Sequence, residues 1–145
     1  MKQPQNLTFY APKTSTDTTG AIFIDIGVSA GFPSPADDFK QQRISLDKTL
    51  IKNKEATFFV RVSGDSMVGA GLDDNDLLIV DKSLEPEHNK IAVCFIDGDF
   101  TVKRLKVEAD SIWLQPENPS YKSIKITEEN NFMIWGIVTY IIKKV

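Results

Sequence analysis

The chain has one cysteine and one histidine, and each scarcity removes a class of chemistry. With Cys94 alone there is no internal disulfide and no cysteine zinc cluster, and the usage suits a reducing cytosol. With His88 alone there is no two-histidine metal site, and a Ser-His-Asp triad would rest on that one residue. His88 stands in the polar run Glu85-Pro86-Glu87-His88-Asn89-Lys90, where a solvated loop histidine is the ordinary reading. Positive charge is not in excess either. The net charge is −3 and the pI about 5.2, which leaves no basic footprint and argues against direct sequence-specific DNA binding. Long apolar runs are missing: none approaches the ~18 residues that span a bilayer, and no apolar signal core follows Lys2. The expectation is a cytoplasmic protein with no membrane role, no metal and no cofactor.

What is present is a core-forming composition, 41% hydrophobic over 145 residues, the size of one ordinary domain. Residues 1–20 are rich in Thr, Ser, Gln and Lys and predict a flexible arm. Ala21–Ile26 could form a short strand. Gly27–Pro35 is a small-residue segment closed by two prolines, which hold their predecessors extended. Such a segment suits a protease better than it suits a core. Asp37–Arg43 is charged and helix-compatible, and Leu46, Leu50 and Ile51 recur near a helical period, so a short helix is expected over Leu46–Ile51. Strands follow: Thr57–Val62, Asp76–Asp81, Ile91–Ile96, Asp99–Val107, Ser111–Gln115, Ile124–Thr127 and Phe132–Ile142. Turn signals every ten or so residues indicate a mostly β body. No helix-turn-helix pattern precedes it.

Between the first two of these strands lies Ser63-Gly64-Asp65-Ser66-Met67. A serine at a strand end in a glycine-containing turn can expose its hydroxyl beside free backbone N–H groups. Plain turn formation explains the same residues. The acidic run Asp73-Asp74-Asn75-Asp76 lacks the spacing and closing glutamate of a calcium loop, and a turn is the better reading. If Ser66 reacts, its base must be something other than histidine. A buried lysine qualifies, because desolvation favours its neutral form. Asp97-Gly98 predicts a two-residue hairpin turn, which sets Lys103 opposite Ala92, with Thr101 and Leu105 as uncharged same-face neighbours. Periodicity alone leaves both outcomes open, a buried Lys103 or one that snorkels to water. A Ser-Lys dyad would need no histidine and no metal. The backbone N–H groups of Asp65 and Ser66 are the natural oxyanion donors. Cys94, in an apolar strand, reads as a buried and inert thiol.

Gly31-Phe32-Pro33-Ser34-Pro35-Ala36, Val62-Ser63-Gly64-Asp65-Ser66-Met67, Asp76-Leu77-Leu78-Ile79-Val80-Asp81 and Asp97-Gly98-Asp99-Phe100-Thr101-Val102-Lys103-Arg104-Leu105 occur in this order. Together they resemble the UmuD group of the LexA-like self-cleaving serine peptidases of the bacterial SOS response. The resemblance covers about residues 24–143. It implies a single compact, mostly β domain of the LexA C-terminal, β-clip type, with Ser66 as nucleophile and Lys103 as general base. It implies self-cleavage at the Ala30–Gly31 bond, stimulated by the RecA–single-stranded-DNA filament. The flexible arm 1–30 would be removed, and residues 31–145 would remain as the peptidase domain. That product would act, as a homodimer, with a UmuC-type translesion DNA polymerase in error-prone synthesis. The chain from Gly31 to Ser66 could span about 115 Å, so reach does not limit the cut. Two other readings stay open: a catalytically silent dimeric binding module of the same fold, and a LexA-type transcriptional repressor.

Overall fold

The computed structural model describes residues 7–13, 21–24 and 41–145. The chain divides into two units, Met1–Pro12 with Asn53–Val145, and Lys13–Lys52.

Among the described residues, the larger unit is one antiparallel sheet of eight strands, as its β-branched and aromatic runs require. The strands are β1 (Leu7–Tyr10), β4 (Thr57–Val62), β5 (Leu77–Asp81), β6 (Ile91–Ile96), β7 (Asp99–Val107), β8 (Ile112–Gln115), β9 (Ile124–Lys125) and β10 (Phe132–Ile142). Their order is β1-β4-β5-β10-β6-β7-β8-β9. The last strand in sequence is thus a central one, and it joins the β4–β5 half to the β6–β9 half. The mostly β body read from the sequence is the observed one.

The β6–β7 turn follows the predicted chemistry. Asp97 and Gly98 have φ of 49° and 95°, both positive, as a turn matched to strand twist demands. The register that follows pairs Ile96 with Asp99 and Ala92 with Lys103. The inner faces of β4, β5, β6 and β7 bury Val60, Val62, Leu78, Val80, Val93 and Val102 in one cluster with Met67 and Leu72. A second cluster holds Ala92, Cys94, Leu105, Leu114 and Ile137. In β10 the register shifts against β6 between Ile134 and Gly136, so Trp135 is the extra, bulged residue. Gly136 is needed there, since a Cβ would lie 2.6 Å from Val80 Cγ1.

The smaller unit pairs β2 (Ala21–Ile24) with β3 (Gln41–Ile44). It also contains the helix α1 (Leu46–Leu50), capped by Ser45, whose side chain accepts from the Lys48 N–H.

Two sequence expectations are corrected. Residues 1–20 were expected to be unstructured throughout, but Leu7–Tyr10 is a strand against β4; Leu7 and Phe9 pack on the main cluster, enough apolar burial to order a four-residue piece. Gln41–Arg43 looked helix-compatible but lies in β3, because strand pairing overrides intrinsic propensity. The Gly27–Pro35 segment, the Ala30–Gly31 bond within it, and Asp37–Lys40 lie outside the described residues.

Candidate active site

Ser66 sits just past β4, in a turn whose shape is set by small and polar residues. Gly64 has φ of 106°, a conformation that glycine adopts without penalty, and its N–H donates to Asp74 Oδ1 at 2.8 Å. The turn is buttressed from the loop after β8. The Glu117 N–H donates to the Ser66 carbonyl at 2.8 Å, and the Gly69 N–H donates to the Glu117 carbonyl at 2.8 Å. A Cβ on Gly69 would lie 2.6 Å from that carbonyl oxygen, so the close approach depends on glycine. Asn118 Nδ2 donates to the Asp65 carbonyl at 2.9 Å, and the Tyr121 hydroxyl donates to the Asp65 carboxylate. Arg104 on β7 pairs with Glu117 and ties the loop to the sheet.

Lys103 reaches the turn from β7. Its partner across the sheet is Ala92, small enough to leave the long side chain room. Nζ lies 3.0 Å from Ser66 Oγ, 2.7 Å from Thr101 Oγ1 and 3.0 Å from the Val102 carbonyl oxygen. Only 7% of Lys103 and 4% of Ser66 is exposed. No ion pair between Lys103 and a carboxylate occurs among the described residues. Burial therefore dominates, and the ammonium is pushed down to about 8, with Cys94 acting in the opposite direction. Cys94 itself is pushed up to about 12 by burial, so it stays a protonated and unreactive thiol.

The geometry suits proton transfer in one direction. An ammonium can donate to all three oxygens. A neutral amine keeps two N–H donors for Thr101 and Val102, which leaves its lone pair for the Ser66 hydroxyl. The backbone N–H groups of Asp65 and Ser66 make no hydrogen bond to another group among the described residues. Across a trans peptide the C=O and N–H point in opposite directions. Because Asn118 holds the Asp65 carbonyl, the Ser66 N–H is turned away from the loop.

The other candidates go elsewhere. His88 is a loop residue whose Nδ1 accepts from the Val107 N–H at 3.0 Å. The acidic turn is held together by Lys143, which pairs with Asp73 and Asp76. No group of residues able to hold a metal ion occurs among the described residues, and none of their helices is long and apolar enough to cross a membrane. A cavity of about 420 Å³ opens beside Ile91, Arg104, Val138 and Tyr140, and neither Ser66 nor Lys103 lines it. Sequence reasoning did not assign the Thr101 hydroxyl to Lys103, nor Glu117, Asn118 and Tyr121 to the serine turn. Their only sequence signal was a polar, proline-bounded loop.

Comparison with known proteins agrees with this architecture. The family model described as peptidase S24-like matches residues 22–139. The protein ImpA of Salmonella typhimurium is 41% identical over 117 residues, 79% of this chain and 78% of ImpA. The protein MucA of Escherichia coli is 40% identical over 114 residues, 78% of this chain and 77% of MucA. The LexA repressor of Syntrophotalea carbinolica is 39% identical over 116 residues, which are 80% of this chain but 56% of the repressor. The mostly β fold is consistent with that of the LexA C-terminal domain.

Proposed function

The chain belongs to the peptidase S24-like family, and on that premise we propose that it is a self-cleaving serine peptidase working through Ser66 and Lys103. The observation that carries the reading is the 3.0 Å approach of Lys103 Nζ to Ser66 Oγ, with both residues buried. Neutral Lys103 takes the Ser66 proton as Oγ attacks the Ala30 carbonyl carbon. The Ser66 N–H, with that of Asp65, donates to the oxyanion. Collapse breaks the C–N bond to Gly31, whose amine receives the proton from the Lys103 ammonium. Water then hydrolyses the acyl-serine, again with Lys103 as base. The substrate is part of the chain, so no high-affinity pocket is required.

With Lys103 at about 8, roughly one molecule in ten carries the neutral base at pH 7. Cleavage is expected to rise about tenfold between pH 7 and pH 9 and then level off. The test is incubation of the purified chain across that range, with product sequencing. The expected product begins at Gly31 and is lost in Ser66→Ala and Lys103→Ala. A chain that stays intact at pH 9, and with RecA–single-stranded-DNA filaments at neutral pH, sinks the proposal and leaves the catalytically silent binding module.

The wider role rests on the resemblance of the sequence motifs to the UmuD group. The processed form, residues 31–145, is proposed to serve as a homodimeric accessory subunit of a UmuC-type translesion polymerase in the SOS response. Tyr140 and Ile142, exposed on one face of β10, are suited to a contact with a second copy. The acidic composition speaks against the repressor reading.

A further inference from the structure

The strand β1 belongs to the portion, residues 1–30, that the proposed cut would detach, yet it is a member of the sheet. It lies antiparallel on β4 with Leu7 opposite Val62 and Phe9 opposite Val60. The alternation is that of a bound strand: Leu7 and Phe9 are partly buried, Thr8 and Tyr10 point outward and are exposed. Phe9 enters an aromatic socket, edge-on to Trp135 at 4.8 Å and to Phe100 at 5.0 Å between ring centres. Phe58 of β4 closes the socket against Trp135 at 5.2 Å. On its far side β1 has no neighbour among the described strands. A four-residue strand with one aromatic anchor is the form in which a sheet edge takes up a peptide: backbone pairing holds it, and a pocket for alternate side chains selects it.

We infer that the β4 edge and the Phe58–Phe100–Trp135 socket form a peptide-binding groove, that its resident ligand is Leu7–Tyr10, and that it keeps the piece 1–30 bound after the chain is cut. The cut rests on the cleavage reading above; the groove does not. While the chain is whole, β1 binds at the high effective concentration of a tethered segment. Cutting converts it into a separate ligand that dilution or a competing strand can remove. Departure of β1 would bare the β4 backbone and the Trp135 ring together. The processed body would then offer a partner an open sheet edge, fitted to an extended segment with a bulky apolar residue at the Phe9 position.

The test makes the cut independent of the chain's own chemistry. A recognition sequence for a site-specific protease is placed between Ala30 and Gly31 of the full chain carrying Ser66→Ala. After cutting, the piece 1–30 is expected to co-elute with the body on gel filtration, with the tryptophan emission of the uncut chain. Excess synthetic peptide of residues 5–13 should displace it. Phe9→Ala should lower the retained fraction at least tenfold and shift the emission to the red, while Tyr10→Ala should retain the piece. Immediate separation of the unsubstituted piece at micromolar concentration overturns the inference, as does retention indifferent to Phe9→Ala. Failure of the Ser66 chain to cut itself would sink the catalytic reading and leave this outcome untouched.

Discussion

Lys103 and Lys143 are the same side chain in two opposite settings. Lys143 is half-exposed and lies between two carboxylates, 2.6 Å from Asp73 and against Asp76. Its pKa is raised, chiefly by the hydrogen bond to Asp73 and then by that to Asp76. Lys103 is buried among neutral oxygens, and its pKa is lowered to about 8, chiefly by desolvation. Lys143 closes the acidic turn of the same connection that carries Ser66. Burial costs the Lys103 ammonium its water, and hydrogen bonds to two carboxylates hold that of Lys143.

Removing the proposed base is the harshest way to test the contrast. Lys103→Met should lower self-cleavage by about 10²–10⁴-fold, followed by gel densitometry. The same change should stabilise the fold at pH 7 by on the order of 1–3 kcal/mol, since a buried ammonium is replaced by an apolar chain of similar length. The folded pKa of Lys103 lies below its ordinary value near 10.5, so its cost is full below pH 8. That cost fades between about pH 8 and 10.5, where the unfolded chain binds more protons. The stabilisation by Lys103→Met, read from urea midpoints, should shrink over that window.

A gentler change deepens the contrast. Thr101→Val removes the acceptor 2.7 Å from Nζ and so disfavours the ammonium further. The midpoint of the cleavage–pH profile should move below its starting value of about 8. The smallest effect is expected at the other lysine. Lys143→Met should leave that profile in place and lower the unfolding temperature slightly, with the part owed to the exposed Asp73 pair fading as salt screens it. A shifted profile there would mean that the two lysines are coupled.

Much of this was legible in the sequence because it depends on local rules. Asp97-Gly98 dictates a turn with two positive φ angles, and counting back from it pairs Lys103 with Ala92. The burial of Lys103 was less legible, since periodicity treats it like any strand lysine; what encloses it comes from β6 and from the turn bearing Ser66, far away in sequence. The clamp by Glu117, Asn118 and Tyr121 was illegible for the same reason. So was β1, a short apolar run within an otherwise polar arm; Phe9 orders it because β4, β7 and β10 bring Phe58, Phe100 and Trp135 together.

The place of β10 in the sheet has a consequence for timing. Ser66 is carried by the β4–β5 half and Lys103 by the β6–β9 half, and among the described strands β10 joins these halves of the sheet. During synthesis the ribosome makes β10 after both, and elongation takes seconds. Until that strand emerges, the sheet between the Ser66 turn and Lys103 lacks its connecting strand. The sheet that connects the Ser66 turn to Lys103 is therefore complete once β10 has been made.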